Sequence, residues 1–108
     1  MLVVSTVPFN TILLPQEFNM QHSWDDVLAL AESILIRGLF GPIGTAFTSD
    51  RGFHLVEGFR RFLAMEFLIA RRNYVPEQPG GRLIPAAQAF ALVPVLLCEN
   101  IQPSRFQL

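Results

Sequence analysis

One junction constrains this chain more than any other feature. Phe53 to Glu57 reads as a β-strand, and Gly58 to about Arg71 reads as a helix that is apolar nearly all round. Phe59, Phe62, Leu63, Phe67 and Ala70 carry helical spacing, and a helix without a polar face belongs in the interior. A chain of 108 residues has material for one core and buries roughly 65% of its unfolded surface on folding. Hydrophobic residues make up 51% of it and charged ones 16%, which is not the composition of a disordered segment. A mean hydropathy of +0.38 and ten Phe residues exceed what so small a core hides. Some apolar surface is therefore expected to meet a protein partner or a second copy of the chain, as in a homodimer.

The other elements follow from local signals. Residues 2–7 are rich in Val and Thr and predict a short strand ended by Pro8, and Thr11 to Leu14 predicts another extended piece before Pro15. Ser23 is a good N-cap, and Asp25 and Asp26 complement a helix dipole in the first turn. Val27, Leu30, Ala31, Ile34 and Leu35 then predict a helix over 24–37, with Gly38 as its left-handed C-cap. Ile43 to Phe47 predicts a strand that pairs with 53–57 as a hairpin across a loop of about five residues, 48–52. The prolines and glycines between Arg72 and Arg82 predict a surface loop. Pro85 is expected at the first position of a short helix to about Phe90, and Val93 to Cys98 reads as a strand in which Pro94 marks an edge or a strand start.

Composition removes several classes of function. The stretch from Leu83 to Cys98 falls short of the roughly 20 apolar residues of a membrane span. Met1 to Thr6 lacks the positive residues that begin a secretory signal, so the cytoplasm is the expected location. One cysteine, Cys98, permits no internal disulfide, and two histidines assemble no zinc-type spacing. Eight arginines, no lysine and nine acids give a net charge of −1, without the basic face that duplex DNA requires.

Clustered charge still suits a compact anion. A helix start leaves backbone N–H groups unpaired and carries a partial positive charge. Gly58 would let a phosphate approach the backbone, and Arg60 and Arg61 could donate charge-assisted hydrogen bonds to it. The plainer reading is that both arginines are solvated first-turn residues, with Glu57 as an ion-pair partner. Outside this turn, His54 reads as a packed or surface histidine, Cys98 as a small hydrophobe, and Trp24 as a core or interface residue. Arg71 and Arg72 suit a helix C-terminus.

Taken together, the helix DDVLALAESILIRGL, the following GPI and strand, the segment GFHLVEGFRRFLA, the opening VPFNTILLP and the closing LVPVLL resemble the ParB N-terminal domain, over roughly positions 3 to 100. The resemblance implies an α+β fold of the ParB/sulfiredoxin type, a single domain over 1–108 with a small mixed sheet and two main helices packed on it. In that family the turn that matches Gly58, Arg60 and Arg61 faces a nucleotide triphosphate. The resemblance thus implies binding of CTP or ATP with magnesium and, if the chain is active, a magnesium-dependent nucleoside triphosphatase. Glu99-Asn100-Ile101-Gln102 is similar to a motif that completes the family's nucleotide site, so Glu99 and Asn100 join the candidate residues. Glu57 or Glu99 would reach the magnesium ion.

There are departures from the family pattern. Phe59 stands where ParB has a glutamate, the segment around Pro15-Gln16 lacks an expected arginine, and Glu99 follows the last strand without the usual intervening helix. Cys98 lies away from the turn that holds the sulfiredoxin cysteine, so sulfiredoxin activity is not implied. No helix-turn-helix domain is expected after Leu108. The family setting is a plasmid, phage or other mobile-element protein. Two alternatives remain open on the same fold: a non-catalytic interaction or dimerisation module, and a ParB-like nuclease.

Overall fold

In the computed structural model of the chain, residues 2–15 and 24–98 are described. Strand β1 (Leu2–Pro8) leads through one turn of 3-10 helix (Phe9–Thr11) into the short β2 (Ile12–Leu13). Helix α1 spans Trp24–Arg37, as its periodicity predicts, and its expected cap Ser23 lies outside the described residues. Gly38 ends the helix at φ +81, with its N–H bonded to the Ile34 carbonyl at 2.8 Å. That is the left-handed stop expected of a glycine in this place.

The hairpin differs from expectation in its turn. Strands β3 (Thr45–Ser49) and β4 (Gly52–Glu57) pair antiparallel down to Ser49 opposite Gly52, so only Asp50 and Arg51 lie between them. The turn tightens because Gly52 takes φ +144, a conformation that favours glycine. The Ser49 hydroxyl also accepts a hydrogen bond from the Arg51 N–H at 3.1 Å. Helix α2 (Phe59–Ala70) follows β4 after Gly58 alone and buries Phe62, Ala64, Met65 and Leu68.

The segment expected to be a loop holds structure. Strands β5 (Tyr74–Pro76) and β6 (Leu83–Pro85) form a separate antiparallel pair, with Val75 opposite Ile84 and both side chains buried. Burial of these two apolar residues outweighs the turn-rich composition between them, and a two-stranded sheet tolerates proline because each strand keeps a free edge. Pro85 caps the short helix α3 (Ala86–Ala89) instead of occupying its first turn.

The last strand, β7 (Leu92–Cys98), is interior. The main sheet is mixed, in the order β1-β7-β3-β4-β2; β7 pairs antiparallel with β1 and parallel with β3. The expectation that Pro94 marks an edge is therefore corrected. Its ring nitrogen faces the β3 side just where that ladder begins: the Pro94 carbonyl accepts from Ile43, and the first N–H donated across is that of Leu96, to Gly44. No ladder bond is lost. One face of the sheet carries the core, where Val7, Leu55, Val93 and Val95 meet Val27, Ala31 and Ile34 of α1 and Phe62, Met65 and Leu68 of α2. Two main helices on a small mixed sheet is the α+β architecture that the resemblance implies.

Candidate functional site

The turn between β4 and α2 is built by two glycines. Gly58 sits at φ +97, left-handed backbone that a Cβ would strain. A Cβ placed on it would also lie 2.7 Å from the Gly44 Cα and overlap the Ile43 carbonyl oxygen. The side of Gly58 where a Cβ would stand thus faces the chain at 43–44, so close backbone packing already requires glycine here, whatever the turn binds.

The two arginines part company beyond this turn. Arg61 turns back on the loop after α1 and donates through Nη1 to the Pro42 carbonyl at 2.8 Å and, more weakly, to the Phe40 carbonyl at 3.4 Å. A guanidinium has five N–H donors, so Nε and Nη2 remain for another acceptor. Arg60 points toward the first turn of α1, where its Nη1 lies 3.7 Å from Asp26 Oδ2. Both side chains are about half exposed, 49% and 55%, so this ion pair is weak and separable.

Glu57 is not the ion-pair partner suggested by its position. Its Oε1 accepts a hydrogen bond from the Thr45 hydroxyl at 2.5 Å across the hairpin, and the carboxylate of Asp26 takes the place opposite Arg60. Asp26 partly offsets the cost of a cation in the first turn of α2. Asp26, Thr45 and the Pro42 carbonyl could not have been found from local spacing, because each reaches the turn from a distant part of the chain. The acidic first turn of α1 was the one signal available, and it reads equally well as helix capping.

These residues line an open cleft of about 800 Å³. Glu57, Gly58, Phe59, Arg60 and Arg61 form one wall, Asp26 and Leu30 of α1 another, and Pro42 to Gly44 with Leu96 the floor. Four of the six site residues expected from the sequence are thus brought together; Glu99 and Asn100 lie outside the described residues. His54 stands apart on the hairpin, stacked on Phe47 with ring centroids 4.7 Å apart and its Nε2 2.6 Å from the Ser49 hydroxyl. Trp24 is 53% exposed and so is not a core residue. Arg71 caps α2 with its guanidinium 5.4 Å above the Phe67 ring, as a cation suits that end.

Element order and sheet connectivity define an α+β fold of the ParB/sulfiredoxin type. Sulfiredoxin from Arabidopsis thaliana superposes with a TM-score of 0.62 at 16% identity, over 97% of this chain and 94% of that one. The C-terminally truncated chromosome-partitioning protein ParB from Caulobacter crescentus, complexed with CTP-γ-S, superposes with a TM-score of 0.59 at 17% identity. That match covers 94% of this chain and 47% of the ParB chain, so the present chain spans about half of it. No protein-family profile and no curated protein matches the sequence. Among the described residues no helix is long and apolar enough to cross a membrane.

Proposed function

We propose that this chain binds a nucleoside triphosphate, CTP or ATP, with its phosphates in the cleft at the start of α2. The observation that carries the reading is the coincidence of three features in one place. An open cleft lies at a helix N-terminus, that terminus follows a left-handed glycine, and two arginines stand beside it. A volume of about 800 Å³ lies within the range of small-molecule sites. The Caulobacter ParB of the same fold is complexed with CTP-γ-S, which supports a triphosphate as the ligand class.

In this reading Arg60 leaves Asp26 for the phosphates, and Arg61 adds its remaining donors while holding the 40–42 loop. Magnesium fits the donor set. Asp26 and Glu57 offer hard carboxylate oxygens at the cleft, and magnesium is commonly held by one or two carboxylates together with substrate phosphates. Glu57, oriented by Thr45, would hold the ion and neutralise phosphate charge through it. Phe59 lines the same wall and offers an apolar surface in place of a carboxylate, so binding without turnover is the form of the reading that the side chains favour.

The test is thermal unfolding with CTP, ATP, GTP, UTP and ADP, each with magnesium, on the native chain and on Arg60→Ala. A ligand at about 100 times its dissociation constant stabilises by about 2.7 kcal/mol, which moves the midpoint by roughly 10 °C or more in a domain this small. One nucleotide is expected to produce such a shift and Arg60→Ala to reduce it. No shift with any of the five at millimolar concentration would overturn the proposal.

A further inference from the structure

Among the described residues the outer edge of β1 is open, and the strand itself shows none of the usual protections. Among the described residues nothing pairs with it, whereas β2 at the opposite edge is only two residues long. β1 runs for seven residues, LVVSTVP, without a charge, and its pairing with β7 continues without a bulge from Leu2 to Pro8. Natural edge strands of this length normally carry a charge, an internal proline or a bulge that blocks further pairing. The one proline here closes the strand.

The register shows which backbone groups are free. On β7 the even-numbered residues turn their backbone groups toward β3, since Ile43 N–H donates to Pro94 and Leu96 N–H to Gly44. The odd-numbered residues of β7 therefore face β1, opposite Val3, Ser5 and Val7. That leaves the N–H and C=O groups of Leu2, Val4 and Thr6 pointing outward from the sheet. The side chains of these same residues lie on the sheet face opposite the core, where Leu2 and Val4 are 54% and 59% exposed; Leu92 of β7, on the same face but opposite Pro8 at the far end of the strand, is also exposed.

We propose that this edge is a homodimer interface in which two copies of β1 pair antiparallel about Val4. Val4 then faces Val4 of the second copy, and Leu2 faces its Thr6. Each of these pairs exchanges two backbone hydrogen bonds, because all three residues present their free groups outward. A two-fold interface sets residues near the axis against their own counterparts, so a charge there would repel itself. Neither β1 nor its neighbour β7 carries one. The exposed apolar face of β1 and β7 continues across the axis and adds side-chain burial to the backbone pairing, toward the roughly 800 Å² per partner of a stable interface.

The test is sedimentation of the native chain beside Val4→Lys, Val4→Glu and Val4→Pro. Proline at position 4 removes only an outward N–H and spares the bonds to β7, so it separates edge pairing from folding; unchanged thermal midpoints for Val4→Lys and Val4→Glu, extrapolated to the monomer, control for folding as well. The native chain is expected to dimerise, and each charged variant to raise the dimer dissociation constant about tenfold or more. Mixing Val4→Lys with Val4→Glu is expected to restore a heterodimer, a result that requires position 4 to face itself. A native chain that stays monomeric at high micromolar concentration overturns the proposal, including one that instead takes up an added uncharged extended peptide. So does a dimer that none of the variants weakens.

Discussion

Gly44 and Gly58 lie back to back where two backbone segments cross, and a Cβ on Gly58 would come within 2.7 Å of the Gly44 Cα. This crossing presses the start of α2 against the segment that forms the cleft floor. Site and fold therefore share the same two glycines.

Alanine at either position should be costly. Gly58→Ala meets both the crossing and left-handed strain at φ +97, and a loss of more than about 2 kcal/mol is expected. Gly44→Ala should lose a comparable amount through contact with the Glu57 backbone. Urea unfolding measures both, and a change under about 0.5 kcal/mol in either would contradict the crossing.

The two arginines should behave differently in the free protein. Arg61→Ala removes the bonds to the Pro42 and Phe40 carbonyls and should cost about 1 to 2 kcal/mol. Arg60→Ala removes only a half-exposed pair with Asp26 and should stay within about 0.5 kcal/mol. Equal losses in urea unfolding would mean that Arg60 has a structural role not seen in its contacts.

What could be read in advance depended on how local the cause was. The helix over 24–37 was legible because cap, periodicity and terminal glycine all lie within it. The turn at Gly58 was legible because one glycine separates an extended run from an apolar helix. Pairing of Val75 with Ile84 was hidden by the prolines and glycines around it, since only tertiary packing makes burial of those two residues decisive. Pro94 looked like an edge residue because a sequence does not show which neighbour its nitrogen faces. The Arg60–Asp26 and Thr45–Glu57 contacts were illegible for the same reason, as each joins elements that fold from separate segments.

Thr45 should matter to the site more than to the fold. Thr45→Val keeps the shape of a buried side chain and removes the hydroxyl that orients Glu57. Stability should fall by about 1 kcal/mol or less, since Glu57 is exposed and water can replace the lost donor. Magnesium-dependent nucleotide affinity, measured by calorimetry, should fall several-fold. An unchanged affinity would separate Glu57 from the metal.

Glu66 is expected to give the fold a small pH dependence. Partial burial on α2 raises its carboxyl pKa above the ordinary 4.5, so the folded state favours the protonated form. Its contribution is then complete below the ordinary value and is lost as pH rises through the raised one. Relative to the native chain, Glu66→Gln should gain in urea midpoint between mildly acidic and neutral pH and gain nothing below the ordinary carboxyl range. A gain that is the same at every pH would contradict this.

The decisive measurement on the cleft is a titration of the isotope-labelled chain with magnesium and the most stabilising nucleotide, followed by amide NMR. Shifts concentrated at Gly44, at Glu57 to Arg61 and at Asp26, and weakened in Arg60→Ala, are the expected result. Saturable shifts confined to other surfaces, or none at millimolar nucleotide, would contradict phosphate binding at the start of α2.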